Sequence, residues 1–139
     1  MILFFPDDIN MPKIPKRKVK IWIKRIVSNY KKEVGEIAII FCSNAKILTM
    51  NKLYLSHNYY TDVISFDYSN ANIISGDIFI CVETVKSNAK AYNISFANEL
   101  YRVIIHGILH LCGFKDKTSE EKKKYRQMEN EALAFFPIE

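Results

Sequence analysis

Residues 95–116 place the strongest constraint on how this chain can fold. Phe96, Leu100, Val103, Ile104, Gly107, Ile108 and Leu111 recur at helical spacing, so one side of a helix must be buried against a larger apolar surface. Ser95 stands where it can cap that helix. Gly113 stands where it can end it, because glycine accepts the left-handed conformation needed just past a last turn. Glu99, Val103, His106 and His110 share a face beside the stripe. Histidines four apart lie one turn from each other, about 6 Å along the axis, and can share one metal ion. A turn at Gly113 can bring Asp116 back to the same ion. Two imidazoles and one carboxylate leave a fourth position open to water, as in catalytic zinc sites and unlike closed structural ones. The expected metal ligands are therefore His106, His110 and Asp116.

One residue separates this pattern from the metallopeptidase helix. That motif places a glutamate after the first histidine, as general base toward the metal-bound water. Here the position holds Gly107, so hydrolysis of another bond type is expected.

The remaining pattern gives a single α+β domain over residues 1–139, a small mixed β-sheet covered by helices. The run Met1–Pro6 is too short, and lacks the basic flank, for a signal peptide, and reads as a first strand. Pro15 opens a helix with Val19, Trp22, Ile23, Ile26, Val27 and Tyr30 along its apolar stripe. Ile37–Cys42 reads as a buried strand, and Ser43 or Asn44 can cap the helix carrying Asn51 and Tyr54. Val63–Tyr68 and Ile74–Val82 read as a hairpin turning through residues 69–72, and Glu83–Tyr92 as a short helix. Thr118 and Glu121 form a capping box for a last helix with Tyr125, Met128, Ala132 and Phe135 inside.

The 49% hydrophobic and 25% charged residues suit a soluble protein, and no apolar run reaches the ~18 residues needed to cross a bilayer. Three scattered cysteines, Cys42, Cys81 and Cys112, argue for reduced thiols in a cytoplasmic protein. Cys112 neighbours the metal motif but points elsewhere around the helix, as a small buried thiol would. The net charge of +5 is unevenly spread. Lys13, Lys16, Arg17, Lys18, Lys20, Lys24, Arg25, Lys31 and Lys32 fall in a stretch without a single acid. Lys115, Lys117, Lys122, Lys123 and Lys124 follow the metal motif. Such faces suit a polyanion such as RNA.

Three blocks resemble one known family. His106, Gly107, Leu109, His110, Leu111, Gly113 and Phe114 match the H-G-x-L-H-L-x-G-(Y/F) signature of the YbeY family, metal-dependent endoribonucleases of ribosomal RNA maturation. Thr61-Asp62-Val63-Ile64-Ser65-Phe66 resembles that family's T-D-V-L-S-F strand, and Gly76-Asp77-Ile78 its G-D-I segment. Asn51 and Tyr54 resemble its L-N-x-x-Y run. The motifs span about residues 37–116. Two departures stand out. The family's third ligand is usually histidine where this chain has Asp116, which hardens the site. The arginine usual after the tyrosine is here Leu55, so either another cation faces phosphate, with Lys52 and Lys115 as candidates, or phosphate stabilisation is weaker in this chain.

The resemblance implies a cytoplasmic, single-strand-specific endoribonuclease with one divalent metal, expected to be Zn2+. It implies action in 16S rRNA 3′-end maturation and ribosome quality control, with the 16S rRNA precursor, the ribosome and ribosomal or assembly proteins as partners. Asp62 and Asp77 are the candidates for general base, and Thr61 and Ser65 for substrate contact. His57 matches no ligand position. The competing readings are a non-catalytic RNA-binding assembly factor with a structural metal, and a metal-dependent amidohydrolase or peptidase.

Overall fold

The computed structural model of the chain describes residues 1–54 and 61–136. Its elements run β1 (Ile2–Pro6), α1 (Lys16–Asn29), β2 (Glu33–Cys42), α2 (Asn44–Tyr54), β3 (Val63–Asp67), β4 (Ile73–Cys81), α3 (Val82–Tyr92), α4 (Phe96–Leu111) and α5 (Ser119–Ala134). The sheet order is β1-β2-β4-β3. β1, β2 and β4 are parallel, and β3 closes the edge as an antiparallel hairpin with β4. This is the expected α+β domain with a small mixed sheet.

The two faces of the sheet carry unequal loads. Ile37, Ile39, Phe41, Ile74, Ile78 and Ile80 join the stripes of α1 and α4 in the main core, following the period-2 alternation of a pleated strand. On the opposite face, α2 covers a smaller cluster of Cys42, Ile47, Met50, Ile64 and Cys81. Each Ile or Leu buried in this way stabilises the fold by ~1.5–3 kcal/mol relative to exposure. The loss of any one is therefore felt in a domain stable by only ~5–15 kcal/mol.

Trp22 lies in the core and ties the first helix to the last. Its indole N–H donates to the Ala132 carbonyl at 2.8 Å, and its ring meets Tyr101 and Phe136 edge-on at 6.1 and 4.9 Å. Thr118 and Glu121 form the expected capping box of α5, and the Ser95 hydroxyl accepts the Asn98 N–H at 3.0 Å. Ser43, not Asn44, caps α2, accepting the Lys46 N–H at 3.2 Å.

Three expectations are corrected. The second strand begins at Glu33, before the apolar run, because Glu33 and Val34 pair with Ile73 and Ile74 across an irregularity in register. Pro15 is the residue before α1 and not its first helical position. Phe135 is not inside. It is 51% exposed, under the Arg25 guanidinium at 5.7 Å, since α5 ends one residue earlier and Phe136 takes the interior place.

α4 ends as its sequence predicts. Gly113 has φ +96°; its N–H donates to the His110 carbonyl at 3.0 Å, and that of Phe114 to Leu109 at 3.2 Å. This paired closure is a Schellman motif. An L-residue at Gly113 would have to hold a left-handed backbone at a cost of ~1–2 kcal/mol. Gly113→Ala is therefore expected to lower unfolding stability by ~1–2 kcal/mol in urea titrations. Nothing stands within 4 Å of the added Cβ, so an unchanged midpoint would show that the turn tolerates the side chain.

Candidate metal centre

α4 lies so close to the sheet that the residue between the histidines has no room for a side chain. A Cβ at Gly107 would fall 2.8 Å from Ile78 Cγ2 and 3.3 Å from Ser65 Oγ. The position faces β3 and β4, so a glutamate there would be driven into the sheet and away from the histidines. His106, one residue earlier, emerges at the side of the helix with 31% of its side chain exposed.

Around His106 the chain gathers groups from four elements. Asp116, on the loop after the Gly113 turn, brings Oδ2 to 3.3 Å from His106 Nε2. From α5, Glu129 Oε2 lies 2.6 Å from His106 Nδ1. Tyr125, one turn earlier, rests its ring 4.4 Å from the imidazole and donates its hydroxyl to the His106 carbonyl at 2.7 Å. Arg102 Nη1 donates to Glu129 Oε1 at 3.2 Å. Asp62 sits just before β3, its carbonyl accepting the Cys81 N–H at 2.9 Å. Together with Asn88, Tyr92, Glu99, Lys122 and Arg126 these residues line a cleft of about 290 Å³.

Charge and burial set the proton affinities in the cleft. Burial opposes charge on His106, but the hydrogen bond and charge of Glu129, helped by Asp116 and Asp62, raise its pKa above the ordinary 6.5. His110 moves the other way. Partial burial and the neighbouring His106 lower it, against Asp67 and Asp116. Burial raises Asp62 above 3.8, with His106 opposing. Burial, then Asp62, raises Glu99 above 4.5. Glu99 Oε1 has no hydrogen-bond partner; Arg102 Nε stands 4.0 Å from it.

The donor chemistry suits a zinc-type ion. A histidine whose Nδ1 is engaged by a carboxylate presents Nε2, the usual pose of a metal-bound imidazole. His106 and Asp116 already meet, and His110 follows one turn on. Among the described residues no three His, Cys, Asp or Glu side chains stand close enough together to hold an ion as they are.

The other candidates divide by face. Asp77 lies on the α2 side of the sheet, across from Phe66 in register, with the Tyr68 hydroxyl at 3.3 Å. It does not reach the cleft. Ser65 is half-buried and faces Gly107 beneath α4. Thr61 adjoins Asp62 but is not part of the cleft wall. Lys52 is exposed on α2, over the opposite face of the sheet, and Lys115 is exposed beside Lys124 and Glu121 in a separate recess. Leu55 and His57 lie outside the described residues. Cys112 is buried, its thiol pushed up to about 11 mainly by desolvation, and Cys42 and Cys81 are likewise buried and free. Sequence reasoning missed Glu129, Arg102 and Arg126, and read Lys122 only as one of a basic run. Arg102 lies one turn before His106, a spacing visible in advance, whereas the α5 residues needed the packing of two helices.

The comparisons with known proteins bear on the family of the chain. The family model described as Endoribonuclease YbeY matches residues 7–137. A Parabacteroides distasonis protein named Endoribonuclease YbeY is 49% identical over 138 residues, covering 99% of this chain and 97% of its own. A Bacteroides fragilis protein of the same name is 51% identical over 133 residues, covering 96% of each. A solution structure of a Thermotoga maritima protein superposes with a TM-score of 0.63 at 26% identity, covering 96% of this chain and 90% of that one. On a match that runs almost the whole length of the sequence, the chain belongs to the YbeY endoribonuclease family.

Proposed function

We propose that this chain is a metal-dependent endoribonuclease of single-stranded RNA, with Zn2+ held by His106, His110 and Asp116. The observation that carries this reading is the meeting of His106 Nε2 and Asp116 Oδ2 at 3.3 Å, in a cleft that Asp62, Lys122 and Arg126 also line. The relatives named Endoribonuclease YbeY support the reaction type. The biological setting we infer is 16S rRNA 3′-end maturation and ribosome quality control in the cytoplasm, in contact with ribosomal or assembly proteins. Among the described residues no helix is long and apolar enough to cross a membrane, and the three free buried thiols suit a reducing compartment.

A dication bound there supplies Lewis acidity toward a phosphoryl oxygen and acidifies a water to near neutrality. The chain's own groups do the rest. Asp62 is the better general base of the two candidates, since it shares the cleft with His106 and its burial brings its pKa upward, toward that of a neutral-pH base. Lys122 and Arg126 line the same cleft and are the cations to hold and shield a phosphodiester, in place of the arginine absent at Leu55. Their phosphate contacts carry little sequence information. The position of Gly107 against the sheet weighs against peptidase chemistry, because that helix cannot present a base there.

Cleavage of a labelled single-stranded RNA, with metal content assayed in parallel, tests the reading. Asp116→Ala is expected to lose bound zinc and cleavage together, and chelation to abolish turnover in the wild type. RNA cutting that survives chelation and this substitution would overturn it.

Asp62→Asn is expected to reduce cleavage by ~10²–10⁴-fold, the usual scale for a general base. Its effect on stability has the opposite sign. A carboxyl whose folded pKa is raised above 3.8 favours folding below the unfolded pKa, and that contribution is lost as pH rises through the folded value. The metal-free Asn variant should thus be more stable than wild type at pH 7, with the gap closing as the pH falls toward 3.8. Urea unfolding at the two pH values, beside the cleavage assay, checks both signs.

Zinc must displace a proton from His106, whose pKa is raised. Affinity is therefore expected to climb with pH through the range above 6.5. Zinc titrations across that range check the direction.

A further inference from the structure

The closest polar contact of His106 is not with a candidate ligand but with a buried acid that no motif of the sequence marks. Glu129 Oε2 stands 2.6 Å from His106 Nδ1, and only 7% of its side chain is exposed. Its other oxygen accepts a hydrogen bond from Arg102 Nη1 at 3.2 Å, and Arg102 is itself mostly buried, with 18% of its side chain exposed. Arg102 and His106 lie one turn apart on α4, as Tyr125 and Glu129 do on α5. The two helices thus meet through a clasp of four side chains, with the Tyr125 hydroxyl on the His106 carbonyl as its third hydrogen bond.

We propose that Glu129, backed by Arg102, is a positioning residue that holds His106 in the tautomer with the proton on Nδ1. That leaves the Nε2 lone pair free for a metal ion on the side where Asp116 stands.

A carboxylate only accepts hydrogen bonds, so Glu129 and Asp116 compete for the one imidazole proton, and Glu129 at 2.6 Å holds it against Asp116 at 3.3 Å. A neutral imidazole carries one proton, and the other nitrogen is then the acceptor or ligand. In free histidine the two tautomers interconvert readily. Here the choice is made by an acid that could not be buried alone without cost, and Arg102 removes that cost. The Tyr125 ring, 4.4 Å away, restrains the imidazole plane as well. Glu99 does not share this role, for its Oε1 makes no hydrogen bond.

The ligand part of this inference rests on the metal reading above, and the tautomer part does not. The full-length chain is studied as wild type, Glu129→Gln and Glu129→Ala, with circular dichroism and thermal unfolding of the metal-free proteins to verify folding. Two-dimensional NMR of the imidazole nitrogens, taken metal-free at a pH where His106 is neutral, should show a single Nδ1–H tautomer in wild type. Glu129→Ala should show a mixture or the Nε2–H form. Wild type with its proton on Nε2, or the same tautomer in wild type and Glu129→Ala, overturns the proposal. Zinc affinity, measured by competition with a coloured chelator, should weaken about 10–100-fold in Glu129→Ala. Glu129→Gln keeps an acceptor oxygen and should retain the Nδ1–H tautomer with an intermediate, several-fold loss. Should the alanine variant fail to fold, unchanged zinc affinity in Glu129→Gln overturns the proposal. Should wild type bind no zinc, the metal reading fails and the tautomers decide the role of Glu129: wild type against Glu129→Ala where that variant folds, and otherwise wild type alone, in which a proton on Nε2 overturns the proposal.

Discussion

The burial of α4 against the sheet is the interaction on which the rest of this structure depends. Leu100, Val103, Ile104, Ile108 and Leu111 occupy its buried side, and Gly107 lets the helix backbone approach Ile78 and Ser65. Once that side is committed, His106 and His110 have only the flank of the helix to occupy. They flank the apolar stripe without interrupting it, so no unpaired imidazole is forced into the core. The Schellman closure at Gly113 follows from the same geometry. It reverses the chain at the end of the buried stripe and delivers Asp116 back to His106.

The second helix of the site, α5, is set in place by contacts far from it in the chain. Trp22 reaches across from α1 to the Ala132 carbonyl, and Phe136 packs on Trp22 and Tyr101. These apolar contacts dock α5 along α4, and that docking decides that Tyr125 and Glu129 face His106. The resulting cleft is rich in charge: Asp62, Glu99, Asp116 and Glu129 against Arg102, Lys122 and Arg126. Its acids compete for a limited number of cations, and Glu129 secures the shortest bond. Asp62 and Glu99, less well compensated, have their pKa values raised by burial. The division is unequal in geometry as well, with Glu129 hydrogen-bonded at both oxygens and Glu99 Oε1 making no hydrogen bond.

Local patterns were legible wherever one element explains itself. The α4 stripe, the Ser95 cap, the Gly113 stop and the Thr118–Glu121 capping box could all be read from spacing, because each is settled by residues within one or two turns. The pairing of Val63–Tyr68 with Ile74–Val82 was legible as a hairpin, for the same reason, and the structure pairs Val63–Asp67 with Gly76–Ile80. Asp62 and Asp77 were not separable, since both stand in strand-like segments near matched motifs. Only the pleat puts Asp77 on the α2 face and leaves Asp62 at the cleft. Lys52 and Lys115 were the cations expected to face phosphate, while Arg102, Lys122 and Arg126 are the ones that line the cleft. Phe135 and Phe136 could not be ranked either, because the end of α5 sets which of the two turns inward.

By itself, the sequence determined the helices, the paired histidines, the turn that follows them and the family, because these depend on short-range periodicity and on motifs with fixed spacing. Tertiary structure alone decided which acid holds His106, which carboxylate shares its cleft and which cations line it. The Glu129–His106 contact joins residues 23 positions apart, and the Trp22–Ala132 bond that docks its helix spans 110. They are created when helices dock through apolar surfaces that carry no record of the polar groups they will bring together.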